Sequence, residues 1–255
     1  MTGLRSLYRR WLPRRRPPAH ALWSDALGRT PYAAALARAE RRRLRALAAL
    51  FLDTKSFEGA AGLAVTDAMR VRIAVKACVP ILNLGLEYYS GWASIILYPG
   101  DFRVHEEYLD EYGVAHRGTA DLCGQSLQQG PMVLSWAEIE DAAPGFDPVI
   151  HECAHKLDIQ NGAADGFPPL HAGMKAADWT RDFTSAYDRL RLARAGASAI
   201  DPYAASDPAE FFAVLTEAFF TAPETVRREF AAVYNQLQAF YRQDPYAILT
   251  GARNP

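Results

Sequence analysis

The run Ile150-His151-Glu152-Cys153-Ala154-His155, set within Asp147–Gln160, decides how the rest of this chain is read. Two histidines four residues apart on a helix lie about 40° apart around its axis, at ~3.6 residues per turn. Their rings can therefore reach a single tetrahedral zinc ion from one face. Glu152 is one residue on, rotated by about 100°. Its carboxylate falls beside the metal's open position rather than on the metal, where a general base belongs. The segment carries the marks of a helix. Val149, Ile150, Ala154 and Leu157 offer an apolar face, and Asn161–Gly162 forms a stop in which glycine takes the left-handed position. With 6 histidines in the chain, a chance His-Glu-x-x-His is expected at roughly the one-per-cent level. The metal reading therefore outweighs that of an amphipathic helix with two solvated histidines. Lys156 is a departure, charged where many such helices are not.

Zinc needs a third protein ligand and keeps its fourth position for water. None of His20, His105, His116 and His171 completes an HxxGxxH arrangement after the motif. A glutamate on a later helix is the common alternative, and the run DPAEFFAVLTEAFF (207–220) offers Glu210 and Glu217. Seven residues is close to two turns, so both carboxylates point the same way and periodicity does not choose between them. Glu210 has a second reading, because Asp207-Pro208-Ala209-Glu210 is a capping-box pattern with proline at the first helical position. The two roles can coexist. Asp158, seven positions after His151, reads either as a carboxylate that orients a ligand histidine or as an exposed helix end.

Working outward, Pro31–Asp53 reads as a helix on the spacing of Leu36, Leu44, Leu47, Leu50 and Phe51. A second runs from a Thr66 or Asp67 cap to Lys76, closed by Pro80. Trp92–Tyr98 and Pro131–Trp136 read as strands. The latter either offers an edge to an extended peptide or simply alternates into the core. Helices follow over Trp179–Arg194, Asp207–Phe220 and Pro223–Tyr241. The expectation is an α+β fold, mostly helical with a small mixed sheet: residues 1–20 as a basic arm and 21–255 as a single domain.

Composition narrows the function. Of 255 residues 50% are hydrophobic, which excludes wholesale disorder. The uncharged stretches Ala77–Leu86 and Tyr88–Gly100 are shorter than the ~20 residues a membrane helix needs. Cys78, Cys123 and Cys153 are odd in number and far apart, so no disulfide framework is expected. With no signal peptide visible, a cytoplasmic setting follows. The net charge of −1 conceals an asymmetry: residues 1–45 hold 12 arginines against Asp25 and Glu40. The basic residues are confined to this segment and no DNA-reading motif accompanies them, so direct nucleic-acid binding is not expected.

HECAHKLDIQNG (151–162), followed by YAASDPAEFFAVLTEAFF (203–220), resembles the MtfA (Mlc titration factor A) family of bacterial zinc-dependent peptidases. The second run is also similar to part of the anthrax lethal factor catalytic domain. The resemblance spans about Trp23 to Tyr241. It implies a zincin-like fold, Zn2+ as cofactor, and hydrolysis of peptide bonds in a peptide or protein substrate, of aminopeptidase type. It breaks the tie in favour of Glu210 as third ligand beside His151 and His155, with Tyr203 seven residues earlier; the phenol of Tyr203 is either a second donor to the developing oxyanion or a packed aromatic in the loop before the helix cap. Because the family takes its name from sequestering the Mlc repressor, the resemblance also raises a second class of function, binding to a transcriptional repressor of that type.

Overall fold

Short Asp-Pro steps and one unusually apolar helix set the architecture. A computed structural model of the protein describes residues 18–100, 130–194 and 196–252, with the backbone of two short strands between 101 and 129. Helices α1 (His20–Gly28), α2 (Pro31–Ala35) and α3 (Arg38–Thr54) lead into strand β1 (Ser56–Gly59), and α4 (Asp67–Cys78) into β2 (Ser94–Tyr98). Strands β3 (Glu107–Leu109) and β4 (Ala115–Arg117) precede β5 (Met132–Ser135) and α5 (Trp136–Glu140). The His-Glu-x-x-His helix is α6 (Pro148–Asp158), followed by α7 (Ala176–Arg191) and α8 (Pro208–Thr221). The chain continues through α9 (Pro223–Glu229), α10 (Ala231–Tyr241) and α11 (Pro245–Thr250).

The sheet has the order β1-β2-β5 and all three strands run parallel, with Phe57 opposite Ile95 and Ile95 opposite Met132. The antiparallel component is a separate pair, β3 with β4. The central strand β2 buries Ile95 and Leu97 and leaves its alternate residues half-buried, the period-two pattern of a strand between two layers. This zincin-like α+β arrangement puts α6 against β5 and the long helices.

α8 is the spine of the helical half. Phe211 to Phe220 are buried on every side, so this helix lies inside the protein rather than on it. Phe211 and Phe212 meet the stacked pair Trp179–Phe183 of α7, whose ring centroids are 4.1 Å apart. A charged side chain on such a helix must find a partner, which bears directly on Glu217.

Several boundaries differ from the sequence reading. Pro31–Asp53 is two helices, because Leu36 and Ala37 are extended and the Glu40 carboxylate accepts from Ala37 N (3.0 Å) to start the second. Leu36 and Leu44 are buried on both sides of the break, so the apolar spacing runs through it unmarked. Pro223–Tyr241 likewise divides at Phe230, whose backbone leaves the helical region while its ring stays buried. β1, α1, α5 and α11 have no counterpart in that reading. The proposed arm falls largely on residues 1–17, outside those described, and the few lysines of this arginine-rich chain lie mostly inside. Three of the four lysines are buried: Lys55 donates to Tyr89 O (2.8 Å) and Trp92 O, Lys76 pairs with Asp147, and Lys156 donates to Gly130 O at 2.9 Å.

Candidate metal centre

α6 begins at Asp147, whose Oδ1 accepts from Val149 N (3.2 Å) and Ile150 N (3.3 Å), with Pro148 in the first turn. Its other oxygen pairs with Lys76. α6 ends at the Ile159–Asn161 turn and at Gly162, whose φ of +109° is the left-handed stop expected there. Between these ends His151, Glu152 and His155 are half-buried on one flank.

α8 is capped in the same way. Asp207 Oδ1 accepts from Ala209 N (2.8 Å) and Glu210 N (2.9 Å). Glu210 contributes its backbone to the cap, while its carboxylate turns to the histidines. Oε2 lies 3.1 Å from His151 Nε2, and Oε1 lies 3.4 Å from His155 Nε2. The two Nε2 atoms are 3.2 Å apart. Among the described residues these three side chains form the one cluster able to offer three ligand atoms, all within 4.8 Å of one another.

The spacing fits a tetrahedral ion. Metal–ligand bonds of about 2.1 Å place neighbouring ligand atoms about 3.4 Å apart, close to the three separations observed. Hydrogen bonding alone leaves the cluster incomplete. Glu210 Oε2 is buried and no donor is directed at it, despite the short distance to His151. Such an orphaned oxygen beside two ring nitrogens is the donor set of a divalent cation.

Glu217 stands behind the cluster. Its Oε2 is 3.3 Å from His151 Nδ1, and its Oε1 accepts from Asp147 N. With a proton kept on Nδ1 toward Glu217, Nε2 can give up its own proton and turn a lone pair to the cluster, the arrangement in which a carboxylate orients a metal-bound histidine. Burial alone would lower the His151 pKa, but the Glu210 and Glu217 carboxylates outweigh it and take it up to about 10. Glu210 is partly desolvated, and the two histidines hold it well below the usual carboxylate range.

Tyr203 sits on a short turn, Pro202–Ala205, capped by Asp201 through Tyr203 N (2.9 Å). It is 55% exposed, and its ring lies 6.5 Å from that of His151. Desolvation and the charge of Glu210 push its phenol up to about 12, so it is a proton donor at neutral pH. Glu152 follows His151 on α6 and is half-buried, and its charge raises the pKa values of both His151 and Tyr203. Asp158 matches neither expectation. It is fully buried, and its Oδ2 accepts from Gly166 N at 2.8 Å rather than from a histidine. The orienting role expected of it is filled geometrically by Glu217, whose signal in the sequence was a carboxylate in the middle of an otherwise apolar helix.

A histidine pair and a carboxylate from two helices of a zincin-like fold define the metallopeptidase class. The family described as glucose-regulated metallo-peptidase M90 matches residues 4–242, and the chain belongs to it. It is 42% identical over 236 residues to Mlc titration factor A of Serratia proteamaculans, covering 90% of this chain and 89% of that one. A Klebsiella pneumoniae protein of the same name is 42% identical over 231 residues, 88% of this chain and 87% of its own. That of Yersinia pestis is 41% identical over 236 residues, 90% and 87%. Membership of this family makes the chain a metal-dependent peptidase by class. No described helix is long and apolar enough to cross a membrane.

Proposed function

We propose that the protein is a zinc-dependent peptidase of aminopeptidase type, with His151, His155 and Glu210 as the zinc ligands. The observation that carries this reading is the convergence of His151 Nε2, His155 Nε2 and the Glu210 carboxylate at 3.1–3.4 Å, with Glu210 Oε2 buried and met by no donor. Two imidazoles and one carboxylate suit zinc with an open fourth position. When bound, zinc supplies Lewis acidity that polarises a carbonyl and makes water acidic near neutral pH.

The chain's own groups carry the rest. Glu152 accepts the proton of the attacking water and returns it to the leaving amine. Tyr203, protonated across the physiological range, donates its hydroxyl to the oxyanion that forms on the scissile carbonyl. Glu217 holds the His151 ring, and Asp147, itself paired with Lys76, holds Glu217 in place behind it. The protein works in the cytoplasm as one domain over 21–255, with residues 1–20 as a basic arm. The test is Glu152→Gln, which removes the base and no ligand. Zinc content should match wild type while hydrolysis of an aminoacyl or peptide substrate falls by about 10²–10⁴. A variant as active as wild type would remove Glu152 from the reaction.

A second reading is favoured by the relatives' name: the protein also binds a repressor of the Mlc type. Glu152→Gln separates the two functions, because binding independent of catalysis survives in it.

A further inference from the structure

The α6–α8 pair is tied at both ends. At one, Asp147, just before α6, donates its N–H to Glu217 late in α8. At the other, Asp158 closes α6 and holds Gly166, which lies against Pro208 at the start of α8. The helices thus run in opposite senses, with the two histidines and Glu210 between the ties.

Gly166 is the piece on which the second tie turns. It is buried, its N–H reaches Asp158 Oδ2 at 2.8 Å, and its carbonyl accepts from Trp179 Nε1 at 3.0 Å. Its φ of +76° lies in the left-handed region, which favours glycine. A Cβ here would come 2.5 Å from the carbonyl oxygen of Pro208 and 3.1 Å from its carbon. That neighbour is backbone, two residues before Glu210, so it yields only if the first turn of α8 moves. On the other side the loop borders a cavity of about 310 Å³, lined also by Phe167, Trp179 and Phe211.

We infer that Gly166 is a positioning residue for the metal centre: bound by Asp158 and Trp179 and flush against Pro208, it sets how far the His151–His155 pair stands from Glu210. This rests on the reading that those three side chains hold zinc. Separations of 3.1 and 3.4 Å leave little slack, and a displacement of α8 by a few tenths of an ångström opens the carboxylate side of the tetrahedron.

The test uses the full chain and measures zinc affinity by competition with a chelator, the absorption spectrum of the cobalt(II)-substituted protein, and thermal unfolding of the metal-free form. Gly166→Ala should weaken zinc binding at least tenfold and alter the cobalt spectrum. Asp158→Ala should do the same to a smaller degree. Asp158→Asn keeps an acceptor for Gly166 N and should bind zinc within about twofold of wild type. Gly173→Ala, where a Cβ meets nothing within 4 Å, should be indistinguishable from wild type. Wild-type zinc affinity in both Gly166→Ala and Asp158→Ala would overturn the inference, even if their metal-free forms unfold at lower temperature. If Gly166→Ala does not fold, the Asp158→Ala and Asp158→Asn pair decides alone: equal affinity in the two overturns it. A wild-type protein that takes up no zinc would instead defeat the zinc reading beneath it.

Discussion

Glu210 and Glu217 stand two turns apart on the same face of one helix, and the protein uses them in opposite ways. Glu210 is in the first turn, half-buried, with one oxygen that no donor satisfies. Glu217 is buried in the middle of the helix, with one oxygen on Asp147 N and the other beside His151 Nδ1. The difference lies in where the neighbouring helix ends. The Asp147 cap of α6 supplies a backbone donor at the level of Glu217, whereas the Glu210 carboxylate faces the Nε2 atoms of His151 and His155. An unsatisfied carboxylate beside two such nitrogens invites a cation; a satisfied one fixes a neighbour.

Glu210→Ala should break the contrast most completely. Its loss of zinc, read by metal analysis after dialysis, should exceed the roughly 10–100-fold drop in affinity typical of losing an orienting partner. Glu217→Ala should show that smaller 10–100-fold drop. It should also destabilise the fold by about 1–3 kcal/mol in urea unfolding, because Asp147 N loses its acceptor inside the protein. Zinc loss in Glu217→Ala but not in Glu210→Ala would reverse the two roles.

The pH dependence sharpens the comparison further. His151 is raised from 6.5 to about 10 in the metal-free protein, so the stability it contributes is fully present below pH 6.5 and lost as pH rises through 10. Urea midpoints of the metal-free form should fall over that range, and zinc addition at pH 7 should release protons measurable by titration. Asp158 gives the smallest effect. Burial pushes its carboxyl from 3.8 to about 7, so its contribution to stability is lost as pH rises through that interval. Asp158→Asn should therefore raise Tm by a few degrees at pH 8 and leave it nearly unchanged at pH 4.

Much of the centre was legible in the sequence because α6 and α8 are regular and their side chains follow helical spacing. Periodicity does not choose between Glu210 and Glu217, since two turns repeat a face; only the family resemblance separates them. Asp158 was misread because a helix-end carboxylate looks solvent-facing when the loop that folds back over it is unknown. β1 (SFEG) is short and mostly exposed, with no alternation to mark it as a strand. One signal, read above only at Asp207-Pro208, recurs along the chain. Asp-Pro occurs four times, at 147, 201, 207 and 244, and each aspartate caps the element that follows. Reading that dipeptide as a start would have found the Tyr203 turn and α11 as well.

The burial of Lys55, Lys76 and Lys156 has a practical consequence. Among the side-chain amines only Lys175, just ahead of α7, is exposed, so an acylating dye should modify it in the folded protein well before the other three lysines.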